Sequence, residues 1–197
     1  MLRRALILIP EEAETPGFEN SAFEIRRIVY EGNALIIRVS TSGGWTHCGA
    51  ALHGSHGSDF SMSSVSGLGT VITVSHGAMG DGPLFNHCQP WGRSDTWSAT
   101  DTELSDEAKQ FWHSVSGALG PGGKIILIGC NMGARFLNST YARRVNGITG
   151  RPVYVSTQEF PAADSERAVF TVYGIEYGEG WLPRGISRSG RQPRGFR

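Results

Sequence analysis

The chain has little of what marks a nucleic-acid-binding, secreted or membrane protein. Its 197 residues include 18 basic and 18 acidic ones, so the formal net charge is zero. That balance predicts no general attraction to nucleic acid or to a membrane surface. The three cysteines show no repeated spacing, which argues against a disulfide framework and favours a reducing compartment. No apolar run is long enough to span a bilayer. We therefore expect a cytoplasmic protein with no nucleic-acid or membrane partner.

The glycine-rich and histidine-rich segments match no common cofactor site. Neither Gly-x-Gly-x-x-Gly after a strand nor Gly-x-x-x-x-Gly-Lys-Ser/Thr occurs, so no nucleotide cofactor is expected. His47, Cys48, His53 and His56 could supply zinc ligands, but no second compact pair follows at the spacing of a zinc finger or ribbon. Ordinary loop histidines are the favoured interpretation, and we expect neither a cofactor nor a metal.

Two apolar runs of strand length each end in a reactive side chain and a glycine. Thr-Val-Ile-Thr-Val-Ser-His-Gly at 70–77 delivers His76, and Lys-Ile-Ile-Leu-Ile-Gly-Cys-Asn-Met-Gly at 124–133 delivers Cys130. In a parallel α/β sheet the carboxyl ends of the strands form the edge where ligands bind. Both side chains are therefore expected at one edge, where a thiol beside an imidazole is the minimal apparatus of a cysteine hydrolase.

The order of these two residues along the chain excludes two families of hydrolases. All six histidines precede Cys130, whereas papain-like enzymes and α/β-hydrolases place the histidine after the nucleophile. The nucleophile elbow of the α/β-hydrolases also needs glycines two residues on either side of the nucleophile. Ile128 and Met132 occupy those positions here. A strand-His-Gly, helix, strand-Cys arrangement remains.

This arrangement resembles the caspase-like cysteine peptidases. Val-Ser-His-Gly at 74–77 and Leu-Ile-Gly-Cys-Asn-Met at 127–132 are most similar to bacterial CHAT-like proteases and to the self-processing cysteine protease domains of toxins. The resemblance implies a thiol protease in which His76 is the general base and acid and Cys130 is the nucleophile. It implies an oxyanion hole formed by the backbone N–H groups of Gly77 and Cys130, and a protein or peptide substrate.

Other parts of the family pattern differ in this chain or have no clear counterpart. Metacaspases carry an acidic residue two positions before the cysteine, and this chain has Ile128 there, so basic specificity of that origin is not expected. Glu24 and Glu31 are candidates, by position alone, for an acidic residue that orients the histidine. The toxin domains are switched by inositol hexakisphosphate, and Arg143, Arg144 and Arg151 form a candidate site for such an anionic activator, with a solvated helix face as the alternative.

Elementary thiol chemistry supports the assignment of Cys130. A thiol has an ordinary pKa of about 8.5, which a neighbouring imidazolium or helix N-terminus lowers by several units. Asn131 to Ala134 are predicted to open the following helix, so Cys130 would lie near its positive end. A buried, inert cysteine at a strand end is the alternative.

Hydrophobic periodicity predicts the surrounding elements. The expected elements are a strand at 5–9, a hairpin of residues 23–30 and 34–40, a long loop at 41–69, a helix capped by Ser105, a turn at 120–123, a helix at 136–145 and a strand at 152–156. Strands that alternate with helices indicate an α/β fold. With the resemblance, we expect a caspase-like sheet, dominated by parallel strands, with helices on both faces.

The remaining segments are assigned to the substrate cleft and to a tail. Trp91 and Trp97, in the loop after His76, are candidate substrate-binding residues. Residues 1–183 are expected to form one peptidase domain. Residues 184–197 hold five arginines and no acid and are expected to be a disordered basic tail.

Three classes of function remain open at this point. The first is a cysteine endopeptidase, which includes self-processing, and it alone uses both strand-end motifs. The second is a catalytically inactive caspase-like module that binds or scaffolds a regulatory partner. The third is a cysteine hydrolase of a non-peptide acyl substrate. Reactivity of the thiol separates the second from the other two.

Overall fold

The computed structural model describes the following parts of the chain: residues 4–10, 15–39, 45–48, 56–77, 83–84, 104, 106–129, 140–156, 175–176, 182–183 and 186–188. In chain order the elements are β1 (Ala5–Pro10), α1 (Thr15–Glu24) with a π-helical turn (Ile25–Val29), β2 (Ala34–Val39), β3 (Trp45–Cys48), β4 (His56–Asp59), a 3₁₀ turn (Met62–Ser64), β5 (Leu68–Val74), β6 (His76–Gly77), β7 (Pro83–Leu84), α2 (Asp106–Ala118), β8 (Leu119–Ile128), α3 (Thr140–Thr149), β9 (Val153–Ser156), β10 (Ile175–Glu176), β11 (Leu182–Pro183) and β12 (Ile186–Arg188).

Eight of these strands form one sheet in the order β12-β9-β8-β5-β1-β2-β3-β4. The five consecutive strands from β9 to β2 are all parallel to one another. The remaining strands, β3 and β4 at one end of the sheet and β12 at the other, are antiparallel to their neighbours. The expected α/β fold with a sheet dominated by parallel strands is therefore confirmed.

The central strand β1 shows why the sequence forms a parallel sheet. All six of its residues are buried, as expected for an unbroken apolar run covered on both faces. Leu6 and Leu8 belong to a core cluster with α2 and α3, whereas Ile7 and Ile9 belong to a second cluster with α1. Helices therefore cover both faces, which we call the α2/α3 face and the α1 face.

Helices α2 and α3 pack against each other through a buried aromatic pair. The indole Nε1 of Trp112 donates a hydrogen bond to the hydroxyl of Tyr141 over 2.8 Å, and neither residue is exposed to solvent. Trp112 also packs edge-on against Phe111, with the ring centroids 4.9 Å apart. The helix predicted after Ser105 is confirmed as α2. The described part of α3 runs from Thr140 to Thr149, past the end predicted at Val145, and the predicted start at Phe136 lies outside the described residues.

The predicted hairpin of residues 23–30 and 34–40 is wrong. Its first arm lies in α1 and the π-helical turn, and β2 pairs in parallel with β1 instead. The turn predicted between the two arms is confirmed, because Glu31 and Gly32 both have positive φ, at 49° and 84°. Here the turn joins a helix to a strand, and the apolar residues before it face the sheet as one side of a helix.

The glycine-rich segment at 120–123, predicted as a turn, lies inside strand β8. Leu68 is opposite Leu119 and Thr70 is opposite Lys124, so four residues of β8 bulge out opposite Gly69 alone. A Cβ added at Gly123 would lie 2.9 Å from a methyl of Leu119 and 3.1 Å from the carbonyl oxygen of Leu68. The bulge therefore requires glycine at this position.

The sheet has more strands than the sequence predicted. Strands β3 and β4 lie within residues 41–69, which were expected to be a loop, and the 3₁₀ turn also lies there. Ile186–Arg188, in the segment expected to be a disordered tail, form β12 against β9. The rest of that segment lies outside the described residues. Among the described helices, none has the length and apolar character needed to cross a membrane.

Candidate functional site

The candidate site is at the carboxyl edge of the sheet, where β5 and β8 end side by side. The two strands are parallel, and their last register pair is Val74 with Ile128. The ladder continues for one more residue, because the backbone N–H of Ser75 donates to the carbonyl oxygen of Ile128 over 3.1 Å. The strand predicted to lead to His76 is thus confirmed as β5, and its neighbour is the strand that leads to Cys130.

The backbone of His76 and Gly77 leaves the main sheet at this edge. These two residues form β6, which pairs antiparallel with β7, so that His76 is opposite Leu84 and Gly77 is opposite Pro83. The segment after the histidine was expected to be irregular, and this short hairpin is part of it. The backbone of His76 and Gly77 therefore belongs to this short hairpin and not to the eight-stranded sheet.

The other predicted site residues lie outside the described part of the chain. Cys130 follows Gly129, which is the last described residue of its segment and is buried. Trp91 and Trp97 are also outside it. The structure therefore describes the two strands that lead to the candidate dyad and the backbone of His76 and Gly77.

The residues just below the edge differ between the two faces. On the α1 face, Val74 and Ile128 are completely buried and belong to the apolar cluster. Ile128, at the position where metacaspases carry an acidic residue, is thus a core side chain. On the α2/α3 face the corresponding positions are small or polar, since Thr73, Ser75 and Gly129 follow the apolar Val71 and Leu127.

Glu31 lies far from His76, and Glu24 is paired with a neighbouring arginine. Tyr30, next to Glu31, is hydrogen-bonded to Thr70 near the start of β5. His76 is six positions after Thr70, which corresponds to roughly 20 Å along a strand. The Glu24 carboxylate accepts hydrogen bonds from the exposed side chain of Arg27. Glu31 therefore lies near the amino edge of the sheet, far from the candidate site.

A buried ion pair near the carboxyl edge was missed in the sequence. Arg38, in β2, is only 8% exposed, and its Nη2 lies 2.9 Å from both carboxylate oxygens of Glu19 in α1. Arg38 is opposite Ile9 of β1, and it shares the α1 face with Ile36. A charged residue at an inward position of an apolar strand was the signal that could have found it.

The candidate anion site and metal site gain little support from the described residues. The Arg151 guanidinium donates to the carbonyl oxygen of Leu119, at the first residue of β8, which is the amino edge of the sheet. Strands β3 and β4 place Cys48 opposite His56, while His53 lies outside the described residues. Within the described chain no group of three or more His, Cys, Asp or Glu residues is placed to hold a metal ion.

Burial raises the pKa of two tyrosines in the core. The pKa of Tyr30 lies above its ordinary value because burial disfavours the phenolate, and the hydrogen bond to Thr70 opposes this effect in part. Burial also raises the pKa of Tyr141, which is fully enclosed, and the hydrogen bond from Trp112 opposes the effect in part. Both phenols are therefore neutral at physiological pH and take no part in acid–base chemistry there.

Comparison of the chain with protein-family models, with curated proteins and with solved structures finds no match to any of the three.

Proposed function

We propose that the protein is a cysteine endopeptidase in which Cys130 is the nucleophile and His76 its base. The observation that carries this proposal is the register of β5 and β8. Val74 pairs with Ile128, His76 is two residues after Val74, and Cys130 is two residues after Ile128. Neighbouring strands lie about 4.8 Å apart, so the paired ends Val74 and Ile128 send the two segments that carry His76 and Cys130 out of the sheet side by side, which favours a dyad of thiol and imidazole.

The chemistry follows from that pair. The imidazole of His76 takes the thiol proton, and the Cys130 thiolate attacks the carbonyl carbon of the scissile peptide bond. The N–H groups of Gly77 and Cys130 stabilise the resulting oxyanion. The imidazolium then protonates the leaving amine as the C–N bond breaks and a thioester remains. Water, deprotonated by the same imidazole, hydrolyses the thioester and regenerates the thiol.

The register favours an enzyme over an inactive binding module. A scaffold of the same fold has no need for a thiol and an imidazole at equal offsets on neighbouring strands. The carboxyl edge is also where parallel α/β sheets bind ligands. We further propose a peptide substrate, because the motifs resemble those of peptidases. We also propose a cytoplasmic location, because three cysteines without a repeated spacing suit a reducing compartment.

The test is thiol reactivity followed by peptide cleavage. At about pH 6.5 Cys130 should alkylate with iodoacetamide much faster than Cys48 or Cys88, because His76 keeps it partly as the thiolate. Purified protein should also cleave members of a proteome-derived peptide mixture, detected by mass spectrometry. Cys130→Ala should abolish cleavage, and His76→Ala should reduce turnover by about a hundredfold or more, with little further loss in the double variant.

Cys48→Ala and Cys88→Ala are the matched controls, and both should cleave at the wild-type rate. A fast-alkylating Cys130 without peptide cleavage would favour a hydrolase of a non-peptide acyl substrate. Equal alkylation of all three cysteines, or a folded Cys130→Ala variant that cleaves normally, would refute the proposal. Circular dichroism of each variant establishes that it is folded.

A further inference from the structure

Strand β5 carries a buried hydroxyl that no described residue satisfies. Thr73 is completely buried, and its Oγ1 has no hydrogen-bond partner among the residues that the structure describes. Buried polar side chains in native proteins are nearly always hydrogen-bonded, to protein groups or to ordered water. A hydroxyl enclosed without any partner is therefore a sign that it binds a small polar group.

The neighbours of Thr73 within the sheet are apolar and uncharged. It is opposite Leu8 on one side and Leu127 on the other, and both belong to the cluster beneath α2 and α3. Neither side chain can donate or accept a hydrogen bond. The apolar, uncharged setting disfavours an ion, because a buried ion needs a counter-charge or several polar ligands.

Small and polar residues lie just beyond Thr73 on the same face. Ser75 is two residues further along and is buried, with 3% exposed. The hydrogen bond from Ser75 N to the Ile128 oxygen places Ser75 opposite Gly129, which has no side chain. A buried serine hydroxyl can donate one hydrogen bond and accept two, so it has capacity for more than one partner.

We propose that Thr73 anchors one internal water molecule on the α2/α3 face of the carboxyl edge. Ser75, two residues further along the same face, is its second protein partner. Buried waters typically make two to four hydrogen bonds to such groups, and removing one is costly. Because Thr73 is three residues before His76, this water fixes the end of β5, and Thr73 acts as a positioning residue for the edge.

A crystal structure of the wild-type chain tests the proposal directly and independently of any peptidase activity. At a resolution that shows ordered water, a peak is expected at about 2.8 Å from Thr73 Oγ1. The Thr73→Ser structure should keep the peak, whereas the Thr73→Val structure should lose it. A wild-type structure with no peak there, or with a protein group bonded to Thr73, would overturn the proposal.

Thermal unfolding of valine variants supplies a second measurement with a control on the same strand. Thr70 is also buried, but its hydroxyl is bonded to Tyr30, so Thr70→Val shows what losing a satisfied hydroxyl costs. Thr73→Val should lower Tm by about 2–4 °C, comparable to the control. A Thr73→Val variant with an unchanged or higher Tm would mean that the hydroxyl binds nothing.

Discussion

The hydrogen bond between Trp112 and Tyr141 offers a sharp test of the packing beneath the candidate site. Both side chains are fully buried, and the bond joins the middle of α2 to the first turn of α3. Replacing Tyr141 with phenylalanine keeps the ring and removes only the hydroxyl. The indole N–H of Trp112 then loses its partner in a place that water does not reach.

The expected loss follows from the state of that N–H group. A buried donor left without a partner costs about 1–3 kcal/mol, more than the net value of an ordinary hydrogen bond. The ring packing changes little, because the edge-to-face contact of Trp112 and Tyr141, with centroids 6.3 Å apart, does not depend on the hydroxyl. For a chain of 150–250 residues each kcal/mol corresponds to about 2–4 °C in Tm. A fall of roughly 2–12 °C is therefore expected.

The assay is urea and thermal unfolding followed by far-ultraviolet circular dichroism. Tyr154→Phe is the control, because Tyr154 is only partly buried and should give a change within about 0.5 kcal/mol. In a double-mutant cycle, Trp112→Phe removes the donor, so adding Tyr141→Phe to it should cost less than in the wild type. Additive effects, or no loss in Tyr141→Phe, would refute the assigned bond.

Two further predictions concern charge. Glu19→Gln should lower the unfolding free energy by about 3 kcal/mol, because it removes the negative charge that lies 2.9 Å from the guanidinium of the buried Arg38. The control is Glu24→Gln, which breaks the exposed pair with Arg27 and should lower the unfolding free energy by less than about 1 kcal/mol. Both values are measured by urea titration, and equal losses of unfolding free energy in the two variants would contradict the burial argument. Alkaline pH should destabilise the fold above about pH 10, since the raised pKa values of Tyr30 and Tyr141 make the folded state hold protons that the unfolded state releases. Tyr141→Phe should flatten the fall of Tm between pH 9 and about pH 11.5, and an unchanged slope would contradict this prediction.

The parallel core could be predicted because its strands are unbroken apolar runs. β1 and the apolar stretches of β5 and β8 are buried on both faces, which removes the alternation of a half-exposed strand and favours helices on either side. Helix α2 was equally clear, since its apolar residues recur on one side and Trp112 and Val115 are completely buried. In these elements local preference and tertiary packing agree.

The missed elements are those in which packing overrides the local pattern. Residues 23–29 are rich in β-branched and aromatic side chains, yet they form a helix because Ile25 packs against the sheet on the α1 face. Strands β3 and β4 have only four residues each, too few to show a clear period, and β4 has no apolar side chain. The ion pair of Arg38 was not predicted, because its partner Glu19 lies on a different element, 19 residues earlier in the chain.

The candidate site depends on the register of β5 against β8. From the sequence alone, this register can be inferred only by counting residues back from His76 and from Cys130. Thr70 pairs with Lys124, and each is six residues before its reactive residue, so the two runs end level. Between Leu119 and Lys124, residues 120–123 form a bulge opposite Gly69. Without the bulge, these extra residues would shift β8 along β5. A shift of one residue would displace Cys130 by about 3.3 Å and turn its side chain to the opposite face of the sheet. The glycines at 120–123 therefore help to set the register of β8 against β5, on which the proposed dyad depends.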